Sequence, residues 1–561
     1  MNKRVISLAM LIAAVTLGYG CKCETSQTVE KPRMIITCDP ELDDSNSMIR
    51  YLLHATDFQI DGLIYTSSQV HWAGDGVTTM YRPGREYTRI TKNGKPLGPQ
   101  LSWRWKDGER FIDEIVELYG KVYPNLIVHN PDYPTPEYLK SVTKYGNIYF
   151  DGDYSYDSEG SELIRTAILD DKPGKLYIGA WGGCSTIARA LYVIDSTYKD
   201  SPEWPNIQKK VNDKVVLLLS GDQDQTYANY IKVKWPDIQQ HAATNGPSLG
   251  YGASRSIPEE YRCMMEPKWM KENILDKGPL GAYYRVWGDG KFMCPGDPTD
   301  YFGYCSEDVT AEELREKEYL VWTALMPRGT WISEGDTPTY INFIDNGLLA
   351  WKDDTYGGWG GRRKIGTSGD NSSLFGGGAS NPEIAPQGNA KLAARMGLNV
   401  PVAAKEPVAK PRAAAPAGQQ MFPPMNRARR GDDAIPKNFI EAIQNELAAR
   451  LDWSVKSAYE DANHHPVIKA VGEMTVNAGS SVKIKAKTSD PDNDNLDVSW
   501  WQFKVGSYEG EVSIENAGAN GAVVTIPADA KSGDTIHIII EAKDNGTPQL
   551  TRYHRIILTV S

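Results

Sequence analysis

The run Met34-Ile35-Ile36-Thr37 is apolar and of strand length. After it, Met48, Ile49, Tyr51, Leu52 and Leu53 recur at a spacing that gathers them on one helix face. A second apolar run covers residues 60–65, so the segment predicts β-α-β. The alternation continues to about residue 375. Residues 175–180 form an apolar run ending in Trp181-Gly182-Gly183, residues 187–193 have a helical period, and residues 214–220 read as a buried strand before the polar loop Gly221-Asp222-Gln223-Asp224-Gln225. Strands alternating with helices predict an α/β fold, with an open, mostly parallel sheet and helices on both faces.

The pattern changes at residues 398–437, where Pro, Ala, Lys and Arg dominate and no apolar period is visible. This predicts a disordered insertion; a basic patch for an acidic partner, built on Arg427, Arg429 and Arg430, is the sharper alternative. The helical period returns with Phe439, Ile440, Ile443, Leu447, Ala448 and Leu451. That amphipathic helix needs a surface for its apolar face. The first domain supplies it if the insertion interrupts a domain running over 33–460. Residues 465–561 hold short β-type runs separated by turns, which predict an Ig-like all-β sandwich. Its acidic loop, Asp490-Pro491-Asp492-Asn493-Asp494, reads as an Asx-rich turn, with Ca²⁺ binding as the other reading.

Lys3, Arg4 and the apolar core over 5–17 predict a signal peptide over 1–20, and hence export to the periplasm, cell surface or medium. Gly18 and Gly20 suit an ordinary cleavage site, whereas Cys21 offers a lipid anchor; the two readings stay open, and a lipid on Cys21 is the one membrane link. The net charge of −11 argues against a nucleic-acid partner. Among seven cysteines, Cys294 and Cys305 flank a turn-rich stretch, and either could pair with the other or with Cys263. No Cys-x-x-Cys or His-rich spacing suggests zinc.

The chemistry gathers in Asp39-Pro40-Glu41-Leu42-Asp43-Asp44, placed at the carboxyl end of the first predicted strand. Ligands of open α/β sheets bind there, and clustered carboxylates repel unless a cation holds them. Hard oxygen donors suit Ca²⁺ or Mg²⁺. The competing reading is a helix start: Asp39 as N-cap, Pro40 at N1, and Asp43 and Asp44 in the first turn.

The segment resembles the D-x-D-P-G-x-D-D metal motif of nucleoside hydrolases. Asp39, Pro40, Asp43 and Asp44 match, while Thr37 and Glu41 depart. The family's asparagine-bearing loop after the second strand has its counterpart in Tyr65-Thr66-Ser67-Ser68-Gln69, then Val70-His71-Trp72. The family's P-T-G-G-x-x-N-x-A segment is similar to residues 180–188, with Trp181 in the threonine's place. Ala228-Asn229 resembles a sugar-binding asparagine. Glu334-Gly335-Asp336-Thr337-Pro338 resembles the late aspartate ligand, with Gly335 where the family has histidine. This variation is similar to a branch of secreted bacterial proteins described as cellulose-binding, with a nucleoside-hydrolase-like domain and a C-terminal β-sandwich.

The resemblance implies one Ca²⁺ held by Asp39, Asp44, Asp336 and the backbone carbonyl of Trp181. Asp39 would be the general base, and Asp43, Gln69 and Asn229 would contact sugar hydroxyls. Glu334 is a leaving-group candidate by its place in sequence alone. The mismatches at Gln69 and Gly335 favour a carbohydrate or glycoside with a vicinal diol over a nucleoside. His71 and Trp72 are candidates for a sugar-stacking wall, with a core role as the other reading of Trp72. Three functions follow: a Ca²⁺-dependent glycosyl-bond hydrolase, a carbohydrate-binding protein using the same pocket, or a structural surface module in which the aspartates are caps. As a cap, Asp336 would start a helix running into residues 340–349.

Overall fold

The computed structural model describes residues 31–82, 85, 97–353, 355–367 and 439–561. The expected leader, Cys21 and the insertion over 398–437 lie outside these. Strand β1 (Arg33–Cys38) pairs in parallel with β2 (Gln59–Tyr65) on one side and β4 (Leu176–Ala180) on the other. Beyond β2 lies β3 (Thr143–Tyr145); beyond β4 lie β5 (Val215–Leu219), β6 (Gln239–Asn245) and β7 (Gly361–Thr367). The order is β3-β2-β1-β4-β5-β6-β7, parallel except for the antiparallel edge strand β7.

The central strands are buried on both faces, which is why they read as unbroken apolar runs. Ile35, Ile36, Leu63 and Ile64 are fully buried, each contributing about 1.5–3 kcal/mol. Helix α1 (Leu42–Leu53) follows β1, and α2 (Phe111–His129) packs beside it. The predicted helical period over 187–193 is the helix Ser185–Tyr198.

The helix Ile440–Val455 is buried on nearly every side. Arg450 Nη1 donates to Thr56 Oγ1 at 3.1 Å and to the Tyr133 hydroxyl at 3.2 Å. Asn125 Nδ2 on α2 donates to the Ser454 carbonyl at 2.9 Å. One apolar core runs from β1 and α1 through Ile440, Ile443 and Leu447 to Phe503, Ile539 and Tyr553.

The last hundred residues form two four-stranded sheets. One has the order β12 (Ser513–Gly518), β13 (Gly521–Thr525), β10 (Ser481–Ser489), β8 (Val467–Ala470). The other has the order β11 (Asp497–Phe503), β14 (Thr535–Lys543), β15 (Thr551–Val560), β9 (Glu473–Val476). Asp490 Oδ1 accepts the backbone N–H groups of Asp492 and Asp494, as an Asx-rich turn requires.

Two expectations are corrected. Cys263, Cys294 and Cys305 are not paired with one another or with any described cysteine: the Cys305 thiol lies 3.0 Å from Asp308 Oδ2, and Cys294 faces the Pro295 carbonyl. The helix expected over 340–349 stops after one turn, Thr337–Tyr340, and passes into a 3₁₀ turn, Ile341–Phe343.

Candidate functional site

Strand order reverses between β1 and β4, so the connections leaving their carboxyl ends diverge and open a crevice. The ladder extends one residue into each loop. Thr66 N–H donates to the Cys38 carbonyl at 2.8 Å, Trp181 N–H to Thr37 at 2.8 Å, and Ser220 N–H to Ala180 at 2.9 Å. The loops after β1, β2, β4 and β5 are thereby fixed at one level.

Asp39 sits at the centre, fully buried, and among the described residues neither of its carboxylate oxygens has a hydrogen-bond partner. Its N–H donates to Asp44 Oδ1 at 3.1 Å. Asp43 accepts the Ser333 hydroxyl at 3.1 Å and the Tyr251 hydroxyl at 3.4 Å. Tyr251 also donates to Glu41 Oε1 at 3.1 Å. Asp336 is bonded by Ser220 and feels the charges of Asp43, Glu41 and Asp39. Asp43, Asp44 and Asp336 are buried; Glu41 is partly exposed.

The helix-start reading holds in part: Asp43 and Asp44 lie in the first turn of α1 and Asp336 occupies an N-cap position, but Asp39 does not. Helix α1 begins at Leu42, with Glu41 at the N-cap position and no side-chain capping bond. Asp336 likewise makes no capping bond to its one-turn helix.

Glycines let the loops close on these oxygens. A Cβ at Gly182 would stand 3.0 Å from Asp39 Oδ2, and one at Gly183 would stand 2.3 Å from Asp224 Oδ2, the oxygen that accepts Ser185 N–H. A Cβ at Gly335 would come within 2.3 Å of Asp43 Oδ2. Asp43 therefore fills the space that a histidine at position 335 needs.

Burial, together with neighbouring carboxylates, pushes Glu41 up to about 8 and Asp43 up to about 6. The same causes hold Asp44 and Asp336 well above the usual carboxylate range. The group resists full ionisation without a counter-charge. A buried carboxylate with both oxygens unpartnered, ringed by hard oxygen donors, fits a divalent cation such as Ca²⁺.

The structure brings together Asp39, Asp43, Asp44 and Asp336. The Trp181 carbonyl accepts Gln223 Nε2. The Trp181 indole is core: it donates to Thr339 Oγ1 at 2.9 Å, stacks on Tyr340 and meets Tyr51 edge-on. Gln69 N–H donates to the Gln223 carbonyl at 2.9 Å, and Gln69 Oε1 accepts Arg85 at 3.4 Å, which places Gln69 beside the β5 loop. Trp72 is fully buried against Phe150.

Two candidates are not brought into the group. Asn229 is exposed on the turn Tyr227–Ile231. Glu334 is fully buried, with Oε2 taking Arg50 Nε at 2.6 Å and Thr337 Oγ1 at 3.0 Å, and Oε1 taking Arg50 Nη2 at 3.0 Å and the Tyr284 hydroxyl at 2.6 Å. Both its oxygens are spent on holding Arg50, which leaves none for a ligand.

Sequence reasoning did not single out Tyr251, Ser333, Ser220 or Gln223. It treated Glu41 as a mismatch and His71 as a wall. His71 Nδ1 lies 3.3 Å from Asp39 Oδ1. Burial pulls the His71 imidazole down, but the Asp39 and Glu41 charges outweigh it and leave it above its ordinary value.

Residues 33–363 match the family model described as "Cellulose-binding Sde182, nucleoside hydrolase-like domain". Residues 481–560 match "Cellulose-binding protein Sde0182, C-terminal domain". Among solved structures, the chain is similar to a nucleoside hydrolase-related hypothetical protein from Saccharophagus degradans, described as associated with carbohydrate metabolism. Identity is 23%, coverage is 95% of this chain and 100% of that one, and the TM-score is 0.60. An endo-fucoidan hydrolase of glycoside hydrolase family 107 matches over 17% of this chain and 13% of its own, at 14% identity and a TM-score of 0.14. The M1 domain from titin matches over 17% of this chain and 94% of its own, at 14% identity and a TM-score of 0.13. No curated protein matches the chain. With more than half its length matched by the first model and its sandwich by the second, the chain belongs to the Sde182 family of cellulose-binding proteins with a nucleoside hydrolase-like domain.

Proposed function

We propose that this chain is an exported, Ca²⁺-dependent hydrolase of a glycosyl bond in a carbohydrate or glycoside that carries a vicinal diol. The observation that carries the reading is the Asp39 carboxylate, buried among Asp43, Asp44 and Asp336 with no hydrogen bond to either oxygen from the described residues and His71 3.3 Å from Oδ1. Asp39, Asp44, Asp336 and the Trp181 carbonyl would hold the ion. When bound, Ca²⁺ supplies a water of lowered pKa and a grip on diol oxygens.

The remaining work falls to the chain itself. Asp39 takes the proton of the attacking water, since its oxygens carry no competing hydrogen bond. Asp43, held by Ser333 and Tyr251, accepts from a sugar hydroxyl. Gln69 adds an amide from the loop after β2. Glu334 keeps Arg50 in place and takes no part in the reaction.

Support for a sugar rather than a nucleobase comes from two neighbours. Gly335 leaves no imidazole beside Asp43. Tyr251, which bonds Glu41 and Asp43, stacks on Phe302 at 5.3 Å and meets Trp322 edge-on. Aromatic bodies with polar tips suit an amphipathic sugar face. The basic and apolar leader supports export. The test is a product-release screen of nucleosides and plant-wall oligosaccharides, with and without chelator. Chelation and Asp39→Asn are expected to lower turnover of a glycan by about 10²-fold or more; turnover of a nucleoside alone would reject the substrate assignment.

A second reading is a carbohydrate-binding protein that does no chemistry. It is favoured by the complete burial of Asp39 and by the family's cellulose-binding description. Calcium-dependent glycan binding with no product released by any substrate would select it.

A further inference from the structure

Two residues outside the matched metal motif lie side by side in the crevice. Glu41 stands where that motif has glycine, and His71 comes from the loop after β2. One ligand atom from each of Asp39, Glu41 and His71 lies within 4.8 Å of the other two. Glu41, Asp43 and Asp44 form a second such group, so Glu41 links the two. His71 is fully buried, and neither of its ring nitrogens has a hydrogen-bond partner. A buried imidazole nitrogen without a partner costs free energy, and a cation that takes the ring's lone pair relieves that cost at one of the two nitrogens. The close polar neighbour of His71, Asp39 Oδ1 at 3.3 Å, faces Nδ1 and leaves Nε2 without a bond.

Charge points the same way. Five carboxylates meet here: Asp39, Glu41, Asp43, Asp44 and Asp336. Buried carboxylates this close repel one another, and Glu41 belongs to both acidic groups. Arg104, whose Nε is held by Asp297 at 2.6 Å, offsets part of the charge at Glu41.

We infer that Asp39, Glu41 and His71 form a second cation site, beside the Ca²⁺ site and sharing Asp39 with it, which takes a borderline first-row divalent ion of the Zn²⁺ class. Ca²⁺ takes oxygen ligands, so an imidazole nitrogen selects against it and toward zinc-like ions. The Tyr251 hydroxyl binds Glu41 Oε1 and leaves Oε2 for the ion, the kind of support that orients a ligating carboxylate. The inference rests on the proposed Ca²⁺ site only for what occupies the neighbouring position.

The test uses the full chain, stripped of metal by chelator and dialysis. The protein is saturated with Ca²⁺ and titrated with Zn²⁺ by calorimetry, and bound metals are counted after gel filtration. Co²⁺ replaces Zn²⁺ in a parallel titration read by its visible absorption. The expected result is one Ca²⁺ and one Zn²⁺ per chain, with Co²⁺ bands showing a nitrogen ligand. His71→Gln should weaken Zn²⁺ binding by more than about a hundredfold, beyond what loss of an outer-shell partner costs, and leave the Ca²⁺ count unchanged. Glu41→Gln should do the same, and it decides the matter if His71→Gln does not fold. Zn²⁺ displacing Ca²⁺ one for one, or binding equally to wild type and to both variants, would overturn the second site. Zn²⁺ binding that needs His71 and Glu41 in a protein that never binds Ca²⁺ would sustain this site while removing the proposed Ca²⁺-dependent function.

Discussion

Helix α1 carries two buried charge centres of opposite character, seven residues apart and so on one face. Near its start, Asp43 and Asp44 join Asp39 and Asp336, and among the described residues no Arg or Lys bonds them; only the His71 imidazole stands close, 3.3 Å from Asp39 Oδ1. Two turns on, Arg50 is answered at every nitrogen: Glu334 takes Nε and Nη2, the Ile443 carbonyl takes Nη1, and Gln444 also accepts from Nη2. Glu446, in the same returning helix as Gln444, shows the answered state again. Burial would raise its pKa, but His465 at 2.5 Å and Arg450 at 2.9 Å hold it well below the usual range. Glu41, in the unanswered centre, stands at about 8. Burial of charge thus has two outcomes. A charge matched within the chain is architecture; the less matched acidic centre is where the proposed cation would bind.

The comparison breaks first at Arg50. Glu334→Ala leaves a buried guanidinium without its carboxylate and should destabilise the fold by about 3–5 kcal/mol, measured by urea unfolding. Asp336→Asn should do the reverse in metal-free protein at pH 8, raising stability by relieving repulsion. A Glu334→Ala loss no larger than that of a surface substitution would erase the distinction.

Next comes the ion. Ca²⁺ at a hundred times its Kd should add about 2.7 kcal/mol to unfolding stability. Asp44→Ala should abolish that gain and remove the metal counted by elemental analysis.

The pH profile sharpens the contrast further. Asp43 and Glu41 have ordinary values of 3.8 and 4.5 and folded values of about 6 and about 8. Groups raised on folding stabilise below their ordinary values and lose that contribution as pH climbs through the folded ones. Metal-free protein should therefore lose stability between about pH 4 and 8, and Ca²⁺ should flatten that slope. Glu446, lowered on folding, contributes above its ordinary value of 4.5 and loses it as pH falls further. Thermal melts across this range, with and without Ca²⁺, check both limbs.

The smallest effect is at Tyr251. Tyr251→Phe removes one donor shared by Glu41 and Asp43 and should cost about 0.5–1.5 kcal/mol in metal-free protein, with a smaller cost once Ca²⁺ is bound. Parallel denaturation curves in the two states measure the difference.

The sheet and α1 were legible in sequence because strands buried on both faces leave unbroken apolar runs, while α1 keeps its 3.6-residue stripe. The acidic run after β1 was legible for a related reason: its four carboxylates are local to one turn. What escaped was set by tertiary closure. Glu334 lies two residues from Asp336, yet its side chain turns to Arg50, and only the returning helix Ile440–Val455 reveals why. His71 carries no local mark, because its meeting with Asp39 depends on the pairing of β2 with β1. Asn229 followed an apolar strand and a polar loop as expected, but its turn leaves it exposed.

Gly335 has a consequence for how such a site can change. A side chain there collides with Asp43 Oδ2, so the two positions are epistatic. Introducing histidine at 335 alone would push Asp43 out of place and spoil the carboxylate group before any new proton donor could act. A lineage or a designer placing a side chain at 335 has to reposition Asp43 first, through Ser333 or Tyr251, and change residue 335 second. The order of substitutions is constrained, and the intermediate that takes them in the opposite order is the one expected to fail.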